Sequence, residues 1–265
     1  MKSRPTLALV INTFNQPDYL ARLLAAVARQ TQPPDEILLA DDGSDEKTRA
    51  VFSTWAGAQR RRTAHLWQSH EGFRRSHILN QAIAAARSDY LVFLDGDTVP
   101  HPVFIADHRE AAQRGFFVQG HRALVGEKAA AWFGKNDFPA DRRRAVFQNQ
   151  ISGLKNSFRW PVAVKQILSH LRGIRGCNLA IWRDDLARVN GYNENFTSWG
   201  REDSELAARL LNACLRRLDL RGRALCFHLW HPPASRANLV ANDGLLEKTV
   251  REKIARCEHG LDRHR

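Results

Sequence analysis

Short apolar runs recur through the first hundred residues, and the stretches between them carry apolar residues three or four positions apart. Residues 6 to 12, 36 to 40, 64 to 67 and 90 to 94 read as strands, since brief apolar runs bounded by turn residues suit a buried parallel strand. Between the first two, Pro17 to Gln30 sets Leu20, Leu23, Leu24 and Val27 at helical spacing. Residues 45 to 56 and 76 to 87 read as two more helices, the second with Ile78, Leu79, Ala82, Ile83 and Ala86 as its stripe. Strand and helix in alternation predict βαβ units, hence an α/β fold with a doubly wound, mostly parallel sheet.

Beyond about residue 115 the pattern is less regular. Phe116-Phe117-Val118 reads as a strand, whereas 127 to 172 is rich in Arg, Lys, Phe and Trp and offers no clean one. Residues 162 to 171 are expected to form an amphipathic helix among Lys155, Arg159, Lys165, Arg172 and Arg175. Such a segment suits an anionic membrane surface or a lid, and equally a core helix with a solvated basic face. The stretch from Asp243 to Arg265 reads as a polar helix with a frayed basic end. The expected organisation is one domain over 1–240, with a nucleotide-binding half (1–115) and an acceptor half (116–240) holding a basic insertion at about 127–175. A helical tail over 241–265 completes it.

Charge narrows the partners only slightly: 40 Lys and Arg against 28 Asp and Glu give +12, which favours anions of any kind. Cys177, Cys214, Cys226 and Cys257 show no zinc-like spacing and read as reduced thiols of a cytoplasmic protein. Lys2 and Arg4 before a short apolar run imitate a signal peptide, but Asn12 ends the run too early, so it reads as the first strand. No stretch approaches bilayer-spanning length, so membrane attachment is expected to be peripheral at most.

The chemistry gathers in four clusters. Asp95-Gly96-Asp97 stands where the strand Tyr90 to Leu94 leaves the sheet, the edge at which open α/β sheets bind ligands. Two carboxylates so close repel unless a cation joins them, and Mg²⁺ or Mn²⁺ commonly bridges carboxylates to substrate phosphates. Asp41-Asp42-Gly43-Ser44-Asp45 follows the second strand; a carboxylate there suits a base or ribose, and a plain turn with Ser44 or Asp45 as helix cap explains it equally well. The third cluster is Trp199-Gly200-Arg201-Glu202-Asp203, which Ser198 or a neighbour would cap as the start of a helix. Trp199 suits stacking on a sugar, and a carboxylate there suits removal of a hydroxyl proton. Finally, His228 and His231 offer nitrogen ligands to an ion at Asp97.

Taken together, Val10-Ile11-Asn12-Thr13-Phe14-Asn15, Asp41-Asp42-Gly43-Ser44, Asp95-Gly96-Asp97 and Trp199 to Asp203 resemble the glycosyltransferase family 2 enzymes in order and spacing over roughly residues 6 to 235. The segment from Gly176-Cys177-Asn178 through Val189-Asn190-Gly191-Tyr192 to Asp203 is similar to the acceptor side of chondroitin-polymerase-like and β-1,4-galactosyltransferase-like proteins. The resemblance implies a GT-A fold, a nucleotide-sugar donor, UDP as its nucleotide, and inverting transfer. It implies that Thr13, Asn15, Asp41 and Asp42 contact the nucleoside, with Arg74, Arg75, Asn80, Asp95 and Gly96 also on the donor side. Asp97 and Asp95, with His228 or His231, would hold Mn²⁺ or Mg²⁺. Asp203 would be the catalytic base and Glu202 its neighbour on the acceptor, beside Trp199 and Gly200. Where the family often carries Arg-Asn, this chain reads Leu79-Asn80, so Arg74 or Arg75 would substitute. The implied acceptor is a saccharide or lipid-linked glycan of the cell surface, made at the inner face of the membrane, with no nucleic acid as partner. A sugar-phosphate nucleotidyltransferase would want a glycine-rich phosphate loop after the first strand, which Thr13-Phe14-Asn15-Gln16 lacks. A non-catalytic carbohydrate- or nucleic-acid-binding module would leave three acidic clusters unexplained.

Overall fold

The computed structural model describes residues 4–135, 137–233 and 239–264. In chain order the strands are β1 (Leu7–Thr13), β2 (Glu36–Asp41), β3 (Arg62–Trp67), β4 (Tyr90–Asp95), β5 (Thr98–Pro100), β6 (Phe116–Gln119), β7 (Arg122–Val125), β8 (Ile151–Ser152), β9 (Val164–Leu168), β10 (Leu179–Trp182), β11 (Arg216–Arg221) and β12 (Cys226–His228). The helices are α1 (Pro17–Ala28), α2 (Glu46–Gly57), α3 (Arg75–Ala85), α4 (Phe104–Ala111), α5 (Glu127–Ala130), α6 (Phe138–Phe147), α7 (Arg183–Val189), α8 (Glu202–Asn212) and α9 (Leu239–Arg251).

Eight strands form the main sheet in the order β3-β2-β1-β4-β10-β6-β11-β9. The first four are parallel, β10 enters antiparallel between β4 and β6, β11 runs parallel to β6, and β9 closes the edge antiparallel. Alternation along β1 explains how both faces are covered. Leu7, Leu9 and Ile11 pack with Leu20, Leu23 and Val27 of α1, while Ala8 and Val10 pack with Ile78, Leu79 and Ile83 of α3. A side chain of this kind contributes roughly 1.5–3 kcal/mol when fully buried, so the strand is pinned from two sides. A second sheet, β5-β12-β7-β8, lies over its own core of Val99, Phe133, Phe138 and Phe227. Pairing of β12 with β5 places His228 opposite Thr98, one residue past Asp97.

Three expectations are corrected. Residues 162–171 hold an edge strand, β9, rather than an amphipathic helix. Pro161 and the β-branched Val162, Val164 and Ile167 disfavour helix, and β11 offers a ladder from Val164↔Arg221 to Leu168↔Arg217. The helix at 202 is not capped by Ser198: Arg201 takes that position in the left-handed region (φ 78°) with no side-chain cap bond. The tail does not fray. After α9 the chain folds back, buries Cys257 and Leu261, and forms a 3₁₀ turn over Leu261–His264. Asn190 secures it, donating to the Cys257 carbonyl and to Asp262.

Candidate active site

The carboxyl ends of β1 and β4, the N-termini of α3 and α8, and the β12 to His231 segment enclose a cleft of about 950 Å³. At its centre lies Arg75, almost wholly buried at the first position of α3. Its guanidinium reaches Asp203 Oδ1 at 3.0 Å, Glu202 Oε1 at 3.3 Å and Asp95 Oδ1 at 3.4 Å. Burial works against a charged Arg75, but Asp203, Asp95 and Glu202 outweigh it and hold its proton firmly. The second carboxylate oxygen of Asp203 accepts the Gly176 backbone N–H at 2.8 Å, and Tyr192 donates its hydroxyl to Oδ1 at 3.4 Å. A side chain at 176 would displace this cluster, because a Cβ there would press on the Asp203 carboxylate and the Arg75 guanidinium.

Glu202 is different from its neighbour. Burial and then the Asp203 charge push its carboxyl up to about 7, and its Oε2 has no hydrogen-bond partner among the described residues. Because the folded state binds this proton more tightly than the unfolded one, the contribution to stability is full below about 4.5 and is lost as pH rises through about 7. Glu202→Gln, which carries no such charge, is therefore expected to melt above the parent at pH 8 and to lose that advantage at pH 5. The span is on the order of 3 kcal/mol; parallel melting curves across pH would refute this.

Asp97, buried, faces two imidazoles: Oδ2 is 3.1 Å from His231 Nε2 and Oδ1 is 3.6 Å from His228 Nε2. Each ring points its Nδ1 at a backbone carbonyl, of Leu229 at 3.0 Å for His228 and of Pro232 at 2.7 Å for His231. With Nδ1 of each ring at a carbonyl, Nε2 faces the carboxylate: protonated it donates to Asp97, and unprotonated it offers a cation a lone pair beside Asp97. Burial alone would raise the Asp97 carboxyl, but the His231 hydrogen bond and both imidazole charges bring it below its ordinary range. The three ligand atoms lie within 4.8 Å of one another, a donor set that fits a divalent ion.

Of the residues expected at the site, Thr13, Asp42, Arg75, Asp95, Gly96, Asp97, Trp199, Gly200, Glu202, Asp203, His228 and His231 all line this cleft. Both histidines, rather than one, face Asp97. Four others do not line it. Asp41 is buried, accepting Ser44 N–H at 2.8 Å and pairing with His65 at 2.9 Å, so it braces the turn. Asn15 accepts Asp45 N–H with its side chain and braces the same turn from the other side. Arg74 pairs outward with Glu71 and the Ser69 carbonyl. Asn80 is fully buried and donates to Tyr192 O and Glu194, so it braces the loop between α7 and α8. Sequence reasoning missed Arg122, Gly176, Trp230 and the stacked pair Phe14 and His70 (4.5 Å between rings) in the cleft wall. Arg122 at the head of β7 and Trp230 two residues after His228 were legible only once those strands were placed.

Comparison with known proteins identifies the family. Residues 8–175 match the family described as glycosyl transferase family 2, and residues 161–231 match the N-terminal domain of galactosyltransferase. The chain belongs to glycosyltransferase family 2, with a GT-A fold. It is 26% identical over 270 residues to chondroitin synthase of Escherichia coli, covering 94% of this chain and 38% of that protein. Among solved structures it is similar to mannosyltransferase PcManGT from Pyrobaculum calidifontis in complex with GDP-Man and Mn²⁺, at TM-score 0.57 and 20% identity over 85% of this chain and 57% of that one. It is also similar to GalNAc-T7 with UDP, GalNAc and Mn²⁺, at TM-score 0.63 and 16% identity over 87% and 45% of the two chains. The chain therefore spans about two fifths to three fifths of the length of these relatives.

Proposed function

We propose that this protein transfers a sugar, with inversion, from a UDP-sugar to a hydroxyl of a saccharide or lipid-linked glycan. The observation that carries the reading is the single cleft that joins Asp97, His228 and His231 to the Arg75-linked carboxylates Asp95, Glu202 and Asp203. An acceptor hydroxyl is a weak nucleophile, and in this reading Asp203 takes its proton as the new bond forms. Arg75 and Gly176 N–H hold that carboxylate in place. Glu202, protonated or not, offers its unpartnered oxygen to a neighbouring hydroxyl, and Trp199 and Trp230, both partly exposed, offer flat apolar faces to sugar rings.

On the donor side, Asp42 and the Phe14 and His70 stack suit a nucleoside, and Arg122 suits the diphosphate. A divalent ion, Mn²⁺ or Mg²⁺, held by Asp97, His228 and His231 would offset the charge that gathers on the leaving diphosphate. A single displacement needs no covalent enzyme intermediate, and a carboxylate base on the acceptor side fits inversion.

Calorimetric titration with UDP, GDP and CDP, each with and without Mn²⁺, tests the proposal. UDP is expected to bind only with metal, and Asp97→Ala to weaken it at least tenfold. Binding of no nucleotide under any condition overturns the donor site, and selective binding of GDP corrects the donor class. No helix among the described residues is long and apolar enough to cross a membrane. Exposed Val162, Val164 and Ile167 beside Lys165 and Arg172 on the β9 edge support peripheral attachment to the inner face of an anionic membrane. Failure to sediment with anionic vesicles would remove that attachment.

A further inference from the structure

A second group of metal-type ligands lies outside the cleft. His77 is on α3, Glu194 is in the loop between α7 and α8, and His264 ends the C-terminal 3₁₀ turn. One ligand atom from each lies within 4.8 Å of the other two. His264 Nε2 is 2.6 Å from Glu194 Oε1, and the His77 and His264 rings meet edge to face at 4.7 Å. All three side chains are at least half buried and come from segments far apart in sequence.

The surroundings orient these ligands as an outer shell does. Gln68 Oε1 engages His77 Nδ1 at 2.7 Å and Gln81 approaches the same atom at 3.2 Å, so Nε2 is the ring nitrogen left for a ligand. Asn80 donates to Glu194 Oε1 at 2.8 Å, fixing the carboxylate. A plain ion pair of His264 with Glu194 explains two of the three residues but does not call for the His77 Nε2 beside them. Arg263 stands 3.8 Å from the other Glu194 oxygen, and at about half exposure it can turn into solvent.

We propose that His77, Glu194 and His264 form a second divalent-metal site, filled by a borderline ion such as Zn²⁺, that clips the C-terminal turn to α3 and to the loop carrying Tyr192. Two imidazoles and one carboxylate suit Zn²⁺ with a water as fourth ligand, and no substrate oxygens are at hand there to favour Mn²⁺ or Mg²⁺. The position gives the clip a purpose. His77 is two residues past Arg75 on the same helix, and Glu194 is two residues past Tyr192, whose hydroxyl meets Asp203. The site would hold both supports of the catalytic carboxylate without touching substrate.

The test uses the full chain with its cleft site silenced by Asp97→Ala and His228→Ala, stripped with chelator and titrated with Zn²⁺. One ion per chain is expected, with Tm rising by roughly 5–10 °C at about a hundred times Kd. Adding His264→Ala, or the milder His77→Gln, is expected to weaken binding at least a hundredfold and abolish the Tm shift. Absence of a bound ion in the silenced protein, or binding that survives both substitutions, overturns the site and leaves an ion pair only. Should the silenced protein not fold, the parent saturated with UDP and Mn²⁺ takes its place. One equivalent of Zn²⁺ bound beside the retained Mn²⁺ and lost in His77→Gln then supports the clip, and its absence rejects it.

Discussion

Asp203→Asn is expected to lower sugar transfer by about 10²–10⁴-fold, the usual range for a positioned general base, while nucleotide affinity stays within about twofold. The substitution keeps the size of the side chain and one oxygen for Gly176 N–H or Arg75, so the fold and the donor side of the cleft are preserved. What it removes is the capacity to accept a proton. The check is a comparison of kcat with the calorimetric Kd for UDP and Mn²⁺. Turnover at the parental rate would remove Asp203 from the mechanism, whereas loss of nucleotide binding would make it a structural residue.

Arg75→Met should produce the largest loss of stability. Three carboxylates lie 3.0–3.4 Å from this one buried guanidinium, and removing one partner of a buried ionic cluster typically costs about 3–5 kcal/mol. For a chain of this size that is roughly 6–20 °C in Tm. The deficit is expected to be greatest at pH 8 and to shrink toward pH 5 as Glu202, whose carboxyl burial pushes up to about 7, takes up its proton. Melting curves at the two pH values provide the measurement. Equal stability of the two proteins at pH 8 would mean that water, rather than Arg75, solvates the cluster.

The first half of the chain is readable because its signals are local. Each of β1, β2 and β4 is built on an unbroken apolar run, and α1 shows a clear stripe. Asp95, Asp97, Glu202 and Asp203 were readable as clusters too, since carboxylates at a strand end or in the first turn of a helix stand out against an apolar background. β9 was misread because none of its residues is buried, so its pattern carries no inward face, and its ladder partner lies some fifty residues away. Asn80 and Asp41 were placed on the donor by their position in the motif, yet their side chains serve turns and loops that only tertiary contact defines. Arg75 was one of two candidates, and nothing local separates it from Arg74; the difference is the direction each leaves the start of α3. The polar surface of the tail, evident in sequence, suggests fraying, whereas the seat that Asn190 provides has no local signal.

Arg75 spans the boundary between the two matched families, reaching from the segment 8–175 to carboxylates that only the segment 161–231 contains. Recombination between relatives meets a constraint there. A second half exchanged between relatives must arrive with carboxylates at 202 and 203 and room for them beside position 176, or the graft leaves the buried Arg75 with Asp95 alone as counter-charge. Chimeras that join anywhere between β4 and Gly176 keep the two halves in register only if this one arginine and its partners are inherited as a set, which makes the pair of halves a single unit of exchange despite their separate pattern matches.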